Sequence, residues 1–138
     1  MSSPIKPPFQ ARTDRALPPR FFGLLKATSV FLATALLTQG ITAGFLMSDE
    51  DGRRLHGATG AVVTFALILQ IVAALLVWRA GRGSVRYLAV TALLFVFTSV
   101  QFMVGSSGNV AVHVPLGVAL FGAGAVLMAQ IWTTRPAD

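Results

Sequence analysis

His56 and His113 are the only histidines in the chain. Each opens the same short pattern, His56-Gly57-Ala58-Thr59-Gly60 and His113-Val114-Pro115-Leu116-Gly117. Each stands at the start of a long apolar run, after a short polar or Gly/Ser-rich loop. With about 3.6 residues per helical turn, Gly60 and Gly117 lie one turn below their histidines on the same face. An imidazole with a bare patch of helix beside it suits a flat macrocycle held through iron, since haem iron takes only one or two axial ligands from protein. Zinc usually asks for four ligands, so a zinc site here would have to recruit loop carboxylates. The chain has no cysteine. That excludes disulfides, thiolate metal sites, iron–sulfur clusters and covalent C-x-x-C-H haem attachment. There is no phosphate-binding loop, no Ser/His/Asp set and no pair of intramembrane carboxylates.

The histidines belong to an internal repeat. Gln39-x-x-x-Ala43-Gly44, a loop, then His56-x-x-x-Gly60 is one copy, and Gln101-x-x-x-Gly105-Ser106, a loop, then His113-x-x-x-Gly117 is the other. Gln39 and Gln101 are therefore candidate donors at the pocket, or interhelical hydrogen-bonding groups. Arg53 and Arg54, just before His56, are candidates to pair with haem propionates. Val63, Leu67, Leu120 and Leu127 continue the histidine stripes as an apolar wall, and Gly124 leaves further room. Gly40 and Gly44 form a G-x-x-x-G that admits a close helix neighbour. Gln70 and Gln130 are expected to make packing hydrogen bonds.

The elements that must position these residues are membrane spans. The chain has 138 residues, 54% of them hydrophobic and 12% charged, with a mean hydropathy of +0.72. An ordinary soluble domain carries about 25% charged residues. Four long uncharged runs read as spans over residues 21–47, 56–78, 87–104 and 110–132. These limits put each histidine in the first turn of its helix. Residues 1–20 hold five prolines and four basic residues and are expected to form a disordered cytoplasmic tail. Residues 133–138 form a second short tail.

The expected fold is an all-α membrane protein, a four-transmembrane-helix bundle built from two parallel-repeated hairpins. Nine of the eleven Lys and Arg residues fall on the side of the termini and the middle loop, and only Arg53 and Arg54 fall opposite. The positive-inside rule then puts both termini in the cytoplasm and both histidines near the outer face of the cell membrane, taken as a bacterial inner membrane. The net charge of +6 flanks the spans instead of lining a soluble face, which argues against nucleic acid as a partner. The lipid bilayer is the expected environment, with a membrane redox complex or a homodimer as possible protein context.

Four spans, histidine opening the second and fourth, and Gln-x-x-x-small-small closing the first and third together resemble one four-helix half of the haem A synthase family. The layout is also similar to small bacterial four-span membrane proteins of unknown function. The resemblance covers residues 21–132 and implies His56 and His113 as axial ligands. In the synthase half with catalytic character a glutamate stands three residues before the first histidine; here that position is Arg53, and Glu50 lies six before. The outer-loop cysteine pair of many members is absent. Three readings follow. The first is a b-type cytochrome with one non-covalent haem b between the second and fourth spans, serving electron transfer or haem carriage. The second is a non-catalytic membrane subunit or assembly factor with structural histidines. The third is a haem-modifying enzyme.

Overall fold

The computed structural model describes residues 20–46 and 50–134. The proline-rich tail expected over residues 1–20 lies, except for Arg20, outside the described residues, as does most of the carboxyl tail. Four helices follow one another: α1 (Phe22–Phe45), α2 (Glu50–Arg79), α3 (Arg86–Ser106) and α4 (Val110–Thr133). All four are long and apolar enough to cross a membrane, and the chain is an integral membrane protein with the expected all-α four-helix bundle. Large apolar side chains such as Ile41, Phe65, Leu93 and Val118 cover the outside, as they do where the surrounding solvent is lipid.

Packing runs round a ring. α1 touches α2 and α4, and α3 touches the same two. α2 and α4 therefore face each other across one diagonal, and α1 and α3 across the other. This is the arrangement expected of two repeated hairpins related by an axis along the bundle. The α1–α2 and α3–α4 turns share one end, here the histidine end. The termini and the α2–α3 loop share the other, the basic end.

The two ends are packed differently. Toward the basic end the interior is apolar and closed: Leu25, Ala73, Ala74, Val77 and Ile131 have no exposed surface. The alanines let the helices approach closely. Gln70, also fully buried, accepts a hydrogen bond from Thr28 Oγ1 at 2.5 Å, and Gln130 accepts one from Arg86 at 2.6 Å. Both glutamines thus make the expected packing bonds. Lys26 Nζ lies 5.6 Å from the Phe22 ring centre and 5.2 Å from that of Trp132. Toward the histidine end, the last buried position of α3 is Thr98 and the first of α4 is Leu120.

One boundary differs most from the sequence reading. α2 starts at Glu50, not near His56, so His56 lies nearly two turns inside its helix. The charged stretch Asp51–Arg54 is a poor candidate for a membrane span but a competent helix, because Asp51 in the first turn complements the helix dipole and arginine favours helix. Gly52 makes the turn possible: a Cβ there would strike the Phe45 carbonyl. Pro115 lies in the second turn of α4, so the Ala111 carbonyl has no N–H to receive from it. His113 does sit in the first turn, its N–H bonded to the Asn109 carbonyl at 2.9 Å.

Candidate functional site

The ring arrangement brings the two histidines together across the α2–α4 diagonal. Their ring centres are 6.1 Å apart and their planes cross at 73°. Both residues are half-buried.

His56 is surrounded by a polar network from α1 and α2. The Gln39 Nε2 atom lies 3.1 Å from its Nε2 and 3.3 Å from its Nδ1. Thr42 Oγ1 is 3.4 Å from Nδ1. Thr59 fixes the other end of the Gln39 amide by donating to Oε1 at 2.5 Å, and it meets Thr42 at 2.9 Å. Thr42 and Thr59 were not singled out by the sequence. Each is three residues after a singled-out partner, Gln39 and His56, so the signal was helical spacing alone.

His113 is held by α3. Its Nδ1 is 3.1 Å from the Gln101 backbone oxygen, and the Gln101 side-chain Nε2 donates to the His113 carbonyl at 2.7 Å. A carbonyl only accepts, so neutral His113 carries its proton on Nδ1 and presents Nε2 as a bare lone pair. The ring packs on Gly105, where a Cβ would come within 2.7 Å of it. Gln101 Oε1 is buried without a partner.

The glycines adjoin the site, but the room beside them is filled. A Cβ on Gly60 would lie 2.9 Å from the Phe102 ring, and one on Gly117 would lie 2.9 Å from Gln101 Nε2. Both obstacles are side-chain atoms and not backbone, so a bound ring would have to displace side chains only. Phe102 is 45% exposed yet covers Gly60. Gly124 holds Leu36 in the same way. Below the histidines, Val63, Leu67, Leu120 and Leu127 are buried and form the expected apolar floor.

Arg53 and Arg54 are exposed on the turn of α2 before His56. No ion pair joins either to another described residue. Gly40 and Gly44 have open space where a Cβ would stand, so no helix of this chain uses the G-x-x-x-G. Among the described residues no three His, Cys, Asp or Glu side chains converge. The donor set among the described residues is two imidazoles, which suits a metal that brings its own equatorial ligands.

No protein-family model, curated protein or solved structure matches the chain.

Proposed function

We propose that the chain is a membrane b-type cytochrome that holds one non-covalent haem b between His56 and His113. The observation that carries this reading is the meeting of the two rings, centre to centre at 6.1 Å, from helices whose backbones do not approach each other. Two imidazoles bound to opposite sides of one metal, each through a bond of about 2 Å, have centres ~6 Å apart. The Gln101 carbonyl at His113 Nδ1 leaves Nε2 as the nitrogen to offer a metal; Gly60 and Gly117 add no side chain of their own, and the atoms beside them belong to the side chains of Phe102 and Gln101. Arg53 and Arg54 are the cations nearest in sequence for the haem carboxylates. His56 and His113 would hold the haem, which would supply one-electron transfer. The residues of the chain orient the ligands, exclude water below with Val63, Leu67, Leu120 and Leu127, and set the polarity around the iron. The resemblance to one haem A synthase half is, on this reading, a shared haem-binding bundle without the modifying chemistry, since Arg53 stands where the synthase has its glutamate.

Basic residues gathered at the end of the termini support an orientation with both termini cytoplasmic and the site near the outer face of the cell membrane. A membrane redox complex, or a second copy of the chain, would complete the electron path.

One observation favours a second reading, a non-catalytic subunit with structural histidines. Gln39, Thr42 and the Gln101 carbonyl already give both imidazoles hydrogen-bonding partners. The optical spectrum separates the two. Detergent-purified protein expressed with ample haem should show a Soret band and, when reduced, a sharp low-spin b-type spectrum. A parent protein without a Soret band would remove the haem reading and leave the structural one.

A further inference from the structure

The two hairpins repeat each other in sequence, yet their glutamines do opposite things. The backbone oxygen of Gln101 lies 3.1 Å from His113 Nδ1. What differs is the amide. The Gln101 amide turns to the His113 backbone oxygen at 2.7 Å, leaving the imidazole Nε2 untouched. The Gln39 amide turns to the imidazole itself, with Nε2 at 3.1 and 3.3 Å from the two ring nitrogens. An amide N–H only donates, so this amide competes with a metal for whichever His56 nitrogen carries no proton. Thr59 holds the amide in that orientation by donating to Oε1.

The surroundings reinforce the difference. His113 lies in the first turn of α4 with its ring against Gly105. A ligating histidine whose other nitrogen donates to a carbonyl is fixed in tautomer and orientation and made more basic. His56, in the one position the structure gives it, lies beside the side chains of Gln39 and Thr42.

We infer that the two histidines are inequivalent ligands: His113 is fixed, His56 is exchangeable, and Gln39 receives the His56 ring when a small neutral ligand of the diatomic class takes its place. This rests on the haem reading and gives the site a coordination position that opens toward α2. Gln39 acts here as a positioning residue, through His56.

The test uses the full chain, purified with haem and reduced, with carbon monoxide and free imidazole as probes. His56→Gly should keep most of its haem, become five-coordinate, bind carbon monoxide fully and return to a low-spin spectrum on addition of imidazole. His113→Gly should retain roughly tenfold less haem under the same purification. Gln39→Leu keeps both histidines; carbon monoxide should displace His56 in it roughly tenfold less readily than in the parent, because the released ring has lost its amide. Where His113→Gly does not fold, the Gln39→Leu comparison decides. Equal haem retention by the two glycine variants, or a carbon monoxide affinity unchanged in Gln39→Leu, overturns the inequivalence. A parent without a Soret band overturns the haem reading itself, and this proposal with it; a haem-loaded parent with equivalent histidines overturns this proposal alone.

Discussion

Gln101 and His113 clamp each other in both directions: the His113 Nδ1 lies 3.1 Å from the Gln101 backbone oxygen, and the Gln101 amide donates to the His113 backbone oxygen at 2.7 Å. One bond uses a side chain of α4 on the backbone of α3, and the other the reverse. The pair joins two helices at the end of the bundle where few other residues are buried, and it fixes which imidazole nitrogen is free.

Gln101→Leu removes only half of this clamp. The His113 ring keeps its carbonyl, while the His113 backbone oxygen loses a donor. A hydrogen bond between spans contributes about 0.6 kcal/mol, and the buried, partnerless Oε1 disappears with the substitution. The midpoint of thermal unfolding in detergent should therefore shift little. In haem-loaded protein the low-spin spectrum should persist. Loss of that spectrum would mean that the side chain and not the backbone of Gln101 orients the ligand.

Gly60→Leu and Gly117→Leu should both lower the haem-to-protein ratio while leaving the protein inserted. A branched side chain at either position would enter the space now held by Phe102 or Gln101, the same space a macrocycle would need. Insertion depends on the apolar spans and should be unaffected. The ratio is read from the pyridine haemochrome against protein mass. Full haem occupancy in both variants would place the ring elsewhere.

The orientation is tested with single cysteines, since the chain has none of its own. A cysteine at Ser107, in the α3–α4 turn, should react with an impermeant thiol reagent from outside the cell. One at Ser84, in the α2–α3 loop beside Arg82 and Arg86, should react only after permeabilisation. The opposite pattern would reverse the membrane orientation and place the histidine end inside.

Gln70 offers a test of the apolar half. It has no exposed surface, shares one short bond with Thr28, and leaves Nε2 without a partner. Gln70→Leu keeps the volume, gives up a bond worth about 0.6 kcal/mol, and removes an unsatisfied buried donor that costs about 1–3 kcal/mol. Unfolding in detergent should show an unchanged or slightly raised midpoint. Gln70→Ala, which opens a cavity, should lower stability by roughly 2–4 kcal/mol. A strongly destabilised Gln70→Leu would assign the amide a role beyond packing.

Gly52→Ala should destabilise the α1–α2 turn, because the added Cβ meets backbone, the Phe45 carbonyl, and not a side chain that can rotate away. Overpacking of this kind costs about 1–3 kcal/mol. The effect should appear as faster proteolysis at the α1–α2 turn than in the parent; identical cleavage rates would show that the turn can shift at no cost.

The sequence by itself determined the number of spans, their order and the end at which the histidines stand. Four apolar runs separated by short polar loops can only alternate in direction, so residues opening the second and fourth runs, His56 and His113, share one end. The spacing of Gln39 and Gln101 in the repeat also made them candidates at that end. Only the tertiary structure decided which way each helix is turned about its axis. These helices are apolar on nearly every side, so no polar face announces the interior, as it does in a soluble bundle. Rotation is set instead by close packing at Ala73, Ala74, Val77 and Ile131, far from the histidines along the chain. That packing puts α2 and α4 on a diagonal and turns the two rings toward each other. It also recruits groups with no signature in residue type: the Gln101 carbonyl, the hydroxyls of Thr42 and Thr59, and the Phe102 ring over Gly60. The start of α2 at Glu50 was hidden for a related reason. Hydropathy marks where a helix can enter lipid, whereas helix formation follows backbone hydrogen bonding and capping, which continue through Asp51–Arg54 into water.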